Sequence, residues 1–259
     1  MLKAVVFDMD DTLLSLNLGA FIAVLAKDEA SLLAQVGRTN PFSMFAAYTA
    51  TMLAVNGDGR GEDDRRTNRA YFDEVIERRG GVRLADPVIA DVLEYYEREI
   101  LPGKNDAVIA ARPREGGREA VACALDRGLR VALLTNPSFS RACIECRMGW
   151  GDLLDLPFEL VTSMENSTRC KPDAGYYTEA LGTLGLRPDE VLMVGNDARR
   201  DFPAPDIGLQ TAFVGNGHPV RATWSGSMAD FAASFSEIEE RFHERQERDL
   251  LDIVQDVSR

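Results

Sequence analysis

Three carboxylates lie within four positions of one another near the start of the chain, in the stretch AVVFDMDDTLL. The apolar run AVVF is typical of a buried strand, and Asp8, Asp10 and Asp11 follow where that strand should end. Like charges this close repel and raise one another's pKa unless a cation or hydrogen-bond donors neutralise them. Because the three acids contribute nothing to packing, the sequence predicts that a cation binds beside them.

Other polar side chains follow later apolar runs with the same strand pattern. VALL is followed by Thr135 and Asn136, VLMV by Asp197 and then Asp201, and the run FELV by a short loop that leads to Lys171. Ligands of open α/β sheets bind in the crevice at the carboxyl ends of the strands. We therefore expect these side chains to share one site with the N-terminal carboxylates.

The chemistry of this set suits a small hard cation. Mg²⁺ prefers carboxylate oxygens, keeps several waters, and is usually completed by a substrate phosphate rather than by a full protein cage. Each residue also has an ordinary explanation by itself, because the acids can cap a turn and Lys171 can be a surface lysine before a turn. Their occurrence together at three strand ends favours a site.

Two hydrophobic patterns divide the chain into the elements that must position these residues. Residues 16 to about 107 carry apolar residues at helical spacing in four segments, separated by turns rich in Gly, Pro, Asn and Asp. From about 108 onward short apolar strands alternate with helices, which predicts a parallel sheet with helices on both faces. The predicted fold class is α/β, with a doubly wound, Rossmann-like core. The predicted domains are a core of 1–14 and 108–230, an all-helical cap of 15–107 inserted after the first strand, and a charged C-terminal helix of 231–259.

Composition limits the classes of partner. The 259 residues are 45% hydrophobic and 27% charged, as in ordinary globular proteins, and the net charge of −13 argues against nucleic acid or an anionic membrane as a partner. A small phosphorylated molecule remains compatible with that charge, because local cations act at short range. The sequence has no basic leader and no apolar stretch long enough to cross a membrane, so we expect a cytoplasmic protein.

The cysteines and histidines are not expected to carry chemistry. Cys143 and Cys146 form a C-x-x-C in a helix-like segment without a second pair or a nearby histidine, which favours buried thiols over a zinc or redox site. His218 and His243 are interpreted as incidental.

The C-terminal segment has the pattern of a charged amphipathic helix. Its apolar residues Ile238, Phe242, Leu250 and Ile253 could pack on the core or on a second subunit. Either a monomer or a homodimer is therefore expected.

The motifs FDMDDT, LLTN, CKPD and VGNDARRD, in this order and spacing, closely resemble the four motifs of the haloacid dehalogenase superfamily. The resemblance covers residues 1–14 and about 108–215, and the helical segment matches the C1 cap of that superfamily only in position and helix content. It implies that Asp8 is a nucleophile that forms an aspartyl-phosphate. It also implies that Asp10 acts as general acid and base, with its backbone carbonyl on Mg²⁺.

The remaining roles are likewise implied by the resemblance. Thr135 and Asn136 would bind the phosphoryl group, and Lys171 would neutralise charge on that group and on the nucleophile. Asp197 and Asp201 would join Asp8 and Asp10 in holding the metal, directly or through water.

The fourth motif departs from the superfamily pattern in two ways. It reads Gly-Asn-Asp where many relatives have Gly-Asp, which leaves open whether Asp197 or Asp201 is the principal metal ligand. Pro203 and Pro205 follow it and should shorten or distort the helix expected there, because proline lacks an N–H donor and crowds the previous turn.

The resemblance implies an Mg²⁺-dependent phosphatase acting on a small phosphorylated metabolite. A dehalogenase fits less well, because dehalogenases of this superfamily generally lack the second acid, here Asp10, and the metal. A phosphotransferase fits less well because residues 1 to 217 contain no histidine. A binding or scaffold protein that kept the fold without turnover is the alternative from another class.

Substrate identity is expected to depend on the cap. Arg38, Arg65, Arg66 and Arg69 could bind a second anionic group or could simply form the solvated face of amphipathic helices. Phosphoglycolate, a nucleoside monophosphate and a sugar phosphate all remain open as substrates.

Overall fold

Five short parallel strands form the central sheet in the computed structural model, which describes residues 1–57, 59–61 and 63–257, with side chains through residue 248. They are β1 (Ala4–Phe7), β4 (Arg130–Leu133), β5 (Val191–Gly195), β6 (Gln210–Val214) and β7 (Ala222–Gly226), in the spatial order β4-β1-β5-β6-β7. A separate antiparallel ribbon pairs β2 (Leu14–Ser15) with β3 (Arg112–Pro113). Because β1 lies between β4 and β5, the residues that follow these three strands meet at one edge of the sheet.

Alternate residues of each strand point to opposite faces of the sheet, and helices cover both faces because apolar side chains point to each. Val5 and Phe7 belong to one core, and Ala4 and Val6 belong to the other. The first core includes α5 (Gly117–Asp126), α6 (Arg141–Trp150), α8 (Met228–Ala233) and α9 (Phe235–Val257), and the second includes α7 (Ala174–Leu184). The predicted α/β class with a parallel sheet between helices is confirmed.

The described residues between β2 and β3 form four α-helices, as the hydrophobic spacing predicts. They are α1 (Leu18–Val36), α2 (Pro41–Asn56), α3 (Asn68–Gly80) and α4 (Pro87–Tyr95), and α4 continues into a π-helical segment (Tyr96–Ile100) and a 3₁₀ turn (Leu101–Lys104). The side chains of Asn40, Thr67 and Asp86 accept hydrogen bonds from the first N–H groups of α2, α3 and α4. The ribbon of β2 and β3 holds the two ends of this helical segment together. That residues 15–107 move as a separate cap stays a prediction.

Three local features of the structure are not those that the strand and helix patterns alone predict. FELV is not a regular strand: its segment hydrogen-bonds along β4, but only Val161 forms a bridge, to Leu133. Residues 196–209 form turns rather than a helix, which agrees with the two prolines that deprive this stretch of N–H donors. Strand β7 was not expected, because its sequence, ATWSG, lacks a continuous apolar run.

The C-terminal helix α9 packs on the core through its first turns. Phe235, Ile238 and Phe242 are fully buried in the core that also contains Trp224 and Phe231. The side chains of Leu250 and Ile253, which the sequence places on the same face, lie outside the described part of the chain. None of the helices formed by the described residues combines the length and the apolar character needed to cross a membrane.

Candidate active site

Asp8 is the first residue after β1, and the chain turns sharply behind it. The backbone N–H groups of Thr12 and Leu14 both donate to the carbonyl of Met9, and Asp11 has a left-handed backbone with φ of 56°. This turn brings the buried Thr12 hydroxyl to 3.3 Å from Oδ2 of Asp8, where it donates a hydrogen bond. The Asp8 carboxylate is therefore fixed at the carboxyl end of an inner strand.

Lys171 lies between two carboxylates. Its Nζ is 2.8 Å from Oδ1 of Asp8 and 2.6 Å from Oδ1 of Asp201, and the side chains of Lys171 and Asp201 are each 1% exposed. Burial alone would lower the pKa of Lys171, but the charges of Asp201 and Asp8 raise that pKa well above its ordinary value. The ammonium group therefore stays charged. Burial raises the pKa of Asp201 to about 6, with Lys171 opposing the shift and Asp8 adding to it.

The two acids of the fourth motif have different surroundings. Both oxygens of Asp201 are engaged, Oδ1 by Lys171 and Oδ2 by the backbone N–H of Asp197 at 2.8 Å. The carboxylate of Asp197 is 44% exposed, with Arg200 Nε at 3.8 Å from its Oδ2. Asp201 is thus placed to anchor the lysine, and Asp197 is the one with a solvent-accessible carboxylate.

Gly195 makes room for Asp201. A Cβ at this position would lie 2.2 Å from Oδ2 of Asp201, an atom that the hydrogen bond from Asp197 holds in place. We expect Gly195→Ala to lower the free energy of unfolding by about 1–3 kcal/mol, as overpacking does in other cores. It should also reduce activity, because Asp201 must move and Lys171 with it. Urea unfolding and a phosphatase assay measure the two effects.

Gly182→Ala is the matched control for this substitution. Gly182 is exposed within α7, and a Cβ at its position would have no neighbouring atom within 4 Å. Alanine should therefore raise the free energy of unfolding by about 0.5–1 kcal/mol through helix propensity. If Gly195→Ala is as stable as the unchanged protein, the close packing of Gly195 against Asp201 is not what positions the lysine.

Asp10 is held by an arginine that sequence analysis did not identify. Oδ2 of Asp10 accepts a hydrogen bond from Nη1 of Arg147, a fully buried residue of α6 whose guanidinium lies 4.5 Å from the ring centre of Phe139 and 5.1 Å from that of Phe21. Asp10 is 16% exposed, and its Oδ1 has no hydrogen-bond partner among the described residues. Burial raises the pKa of Asp10, Arg147 opposes the shift, and Asp8 adds to it.

Asn136 links the end of β4 to the helical segment. Its Oδ1 accepts from the N–H of Lys171 at 3.1 Å, and its Nδ2 donates to Oδ1 of Asn56, in α2, at 2.7 Å. Thr135 is 1% exposed, and its carbonyl accepts hydrogen bonds from Thr162 and Tyr176. The predicted role of the Thr135 hydroxyl in binding phosphate stays a prediction.

A cavity of about 360 Å³ collects most of the predicted site residues between the sheet edge and the helical segment. Its polar lining includes Asp8, Asp10, Asp11, Asn136, Lys171, Asn196, Asp197, Arg200 and Asp201, and its wall from α1 and α2 consists of Leu18, Ile22, Thr49, Met52, Leu53 and Asn56. Thr135, the other residue predicted to bind phosphate, is not among the described residues that line the cavity. The cavity is large enough for a small phosphorylated metabolite.

The four arginines proposed for a second anionic group do not line this cavity in the described part of the chain. Arg38 is exposed, and Arg65 borders a different cavity. Arg66 pairs with Asp64 and Glu74, and Arg69 pairs with Asp73. Among the described residues, the arginine that lines this cavity is instead Arg200. Its position within VGNDARRD could have indicated this, because the motif follows a strand that ends at the site.

The sequence of this chain is similar to those of curated proteins. One curated relative is the N-acetylmuramic acid 6-phosphate phosphatase of Pseudomonas aeruginosa, which is 26% identical over 221 residues, covering 84% of this chain and 83% of that protein. Another is pyrophosphatase PpaX of Halalkalibacterium halodurans, which is 26% identical over 103 residues, covering 40% of this chain and 46% of that protein.

Solved structures share the fold. A HAD phosphatase from Thermococcus onnurineus superposes with a TM-score of 0.55 at 18% identity, over 90% of this chain and 98% of that one. An L-2-haloacid dehalogenase from Xanthobacter autotrophicus, with chloropropionic acid covalently bound, superposes with a TM-score of 0.50 at 16% identity. The superposition covers 91% of this chain and 99% of that one. At these identities the likeness concerns the fold alone, and it includes both a phosphatase and a dehalogenase.

The family model of the haloacid dehalogenase-like hydrolases matches residues 2–205, which contain all four motifs and every residue of the candidate site. The resemblance seen in the sequence is thereby confirmed, and the chain belongs to the haloacid dehalogenase-like hydrolases.

Proposed function

We propose that the protein is an Mg²⁺-dependent phosphatase that hydrolyses a small phosphorylated metabolite through an aspartyl-phosphate on Asp8. The observation that carries the proposal is the contact of Lys171 with both Asp8 and Asp201 in a cavity that Asp10 and Asp197 also line. One buried ammonium group beside several carboxylates suits a site that must receive a phosphoryl dianion together with a divalent cation.

The donor set fits Mg²⁺. Oδ2 of Asp8, the backbone carbonyl of Asp10 and the exposed carboxylate of Asp197 are the oxygens that would hold the ion. Asp201 would bind Lys171 rather than the ion, because both of its carboxylate oxygens already accept hydrogen bonds within the protein. When bound, Mg²⁺ would supply positive charge for the phosphoryl oxygens and for the accumulated carboxylates.

The chain's own residues divide the reaction into two displacements. A carboxylate oxygen of Asp8 attacks phosphorus, the bond to the leaving oxygen breaks, and Asp10 gives that oxygen a proton. Asp10 then takes a proton from the water that attacks the aspartyl-phosphate, which releases inorganic phosphate and restores Asp8. Burial favours the protonated form of Asp10 that the first step requires, and Arg147 favours the ionised form that the second step requires.

Fewer features of the site support the two alternatives, a dehalogenase and a scaffold protein. A dehalogenase would need only the nucleophile, which leaves Asp10, Arg147 and the exposed Asp197 without a role. A scaffold protein could have lost Asp8 or Lys171, because neither belongs to the apolar cores. The apolar wall of Leu18, Ile22, Met52 and Leu53 favours a substrate whose leaving group has some apolar surface.

The first test is phosphate release from p-nitrophenyl phosphate. We expect turnover with Mg²⁺, its loss in EDTA and its return when Mg²⁺ is restored in excess, because the carboxylates need a cation to admit the anionic substrate. A panel of sugar 6-phosphates, phosphoglycolate, nucleoside monophosphates and pyrophosphate would then rank substrates by kcat/KM. A protein that is inert toward the whole panel, with and without divalent metals, would favour the scaffold alternative.

A further inference from the structure

Three metal-ligand side chains meet where the helical segment contacts α6, outside the candidate active site. Glu29 comes from α1, Glu97 from the π-helical segment after α4, and Cys143 from α6, with exposed fractions of 5%, 9% and 1%. Their ligand atoms all lie within 4.8 Å of one another. π-Helical turns are rare and often occur at functional sites.

Glu29 has one oxygen that no N–H or O–H donor of the described residues reaches, and the carboxyl group of Glu97 could bond to Glu29 only by sharing a proton. Oε2 of Glu29 accepts a hydrogen bond of 2.6 Å from the hydroxyl of Tyr48, and its Oε1 is buried without a hydrogen-bond partner among the described residues. Neither Glu29 nor Glu97 forms an ion pair with a lysine or arginine that the structure describes. An unsatisfied buried carboxylate oxygen costs free energy, so this arrangement calls for a cation or a proton.

The unsatisfied oxygen lies beside a space of atomic size. A cavity of about 20 Å³ is lined by Glu29, Glu97 and Cys143, together with Tyr48 and Arg69. This volume is enough for one ion or one water. Cys143 Sγ lies 3.4 Å from Oε1 of Glu97, to which it donates a hydrogen bond.

We propose that Glu29, Glu97 and Cys143 form a binding site for one transition-metal ion of the zinc type. Carboxylates alone would favour Mg²⁺ or Ca²⁺, but a thiolate ligand favours a softer ion, and zinc accepts both sulfur and oxygen. Binding breaks the S–H bond of Cys143, forms a metal–sulfur bond, and releases the thiol proton and any carboxyl proton to solvent. A divalent ion leaves one negative charge among three anionic ligands, and Arg69, which lines the cavity and also pairs with Asp73, offsets part of it.

This site is separate from the proposed Mg²⁺ site and has a structural consequence. Its ligands come from the helical segment and from α6, so a bound ion would link the two. Met52 and Phe139 line both cavities, so the link would also fix part of the active-site wall. The C-x-x-C motif, interpreted above as idle thiols, would thus supply one ligand, Cys143.

The test is cobalt binding, because a thiolate-to-cobalt charge-transfer band identifies sulfur ligation without an activity assay. Protein unfolded in EDTA and refolded with Co²⁺ should show this near-ultraviolet band with the intensity of one thiolate–cobalt bond per chain, whatever Co²⁺ the active-site carboxylates also bind. Zn²⁺ should abolish the band and raise the melting temperature. Cys146→Ser and Cys170→Ser should keep the band, and Cys143→Ser should lose it.

A second variant covers the case in which Cys143→Ser does not fold. Glu29→Gln keeps the size of the side chain, and we expect it to weaken cobalt binding at least tenfold while the band per bound ion remains. The proposal is overturned if refolded wild-type protein shows no charge-transfer band, or if Cys143→Ser retains it. Glu29 and Glu97 would then share a proton instead of a metal.

Discussion

Asp8→Asn is expected to abolish phosphate release, with a fall in kcat on the order of 10⁴-fold or more, as for other enzymes that lose their nucleophile. The amide carries no negative charge and cannot form the aspartyl-phosphate. The fold should survive, because asparagine has the same shape and Lys171 keeps its partner Asp201 at 2.6 Å. Initial rates with p-nitrophenyl phosphate and a urea unfolding curve measure the two quantities.

Asp11→Asn is the matched control for the nucleophile. Asp11 is an exposed carboxylate in the same turn, and asparagine tolerates its left-handed backbone. Its activity should stay within a few-fold of the unchanged protein. Beryllofluoride with Mg²⁺ gives a second readout by ¹⁹F NMR, because it should bind the wild-type carboxylate and not Asp8→Asn. Turnover by Asp8→Asn at a wild-type rate would contradict the proposed mechanism.

Much of the fold followed from local patterns. AVVF, VALL and VLMV are short apolar runs that end in polar residues, so both the buried strands and the edge at which Asp8, Asn136 and Asp197 meet could be predicted. The four helices between β2 and β3 followed from apolar spacing and cap residues. FELV misled because its composition suits a strand, whereas the backbone pairs irregularly with β4 beside Pro157.

The pairing of side chains from distant helices could not be predicted in this way. Nothing near Arg147 in the sequence distinguishes it from Arg141, the other arginine of its helix, and its partner Asp10 is 137 positions away. Likewise, local sequence could not predict the different surroundings of Asp197 and Asp201, because the difference depends on Gly195 and Lys171. Glu29 was not identified either, although its position between Leu25 and Leu33 at four-residue spacing, on the buried stripe of α1, could have indicated a buried carboxylate.

Arg147→Met should lower the free energy of unfolding by about 3–5 kcal/mol at neutral pH, because it leaves the buried Asp10 carboxylate without its cation. Methionine can still pack between Phe21 and Phe139, so the loss should come mainly from charge. Arg141→Met is the control in the same helix. Its ion pair with Glu145 is largely exposed, and its loss should cost no more than about 1 kcal/mol.

The pH dependence of the stability lost in Arg147→Met, measured by urea unfolding in EDTA, shows whether Arg147 stabilises the protein through its charge or through packing. Burial raises the folded-state pKa of Asp10, and losing Arg147 raises it further, so the folded state binds the proton more tightly than the unfolded state. The stability of Arg147→Met should therefore fall as pH rises from the unfolded pKa of about 4 through the raised folded pKa. Its deficit relative to wild type should be largest at neutral pH and should shrink below about pH 4, where Asp10 is protonated in both states.

Adding Asp10→Asn should recover most of the loss at neutral pH, because no buried charge then remains unpaired. An equal deficit at pH 4 and pH 7 would mean that Arg147 acts through packing, and Arg147 would then have no part in setting the protonation of Asp10.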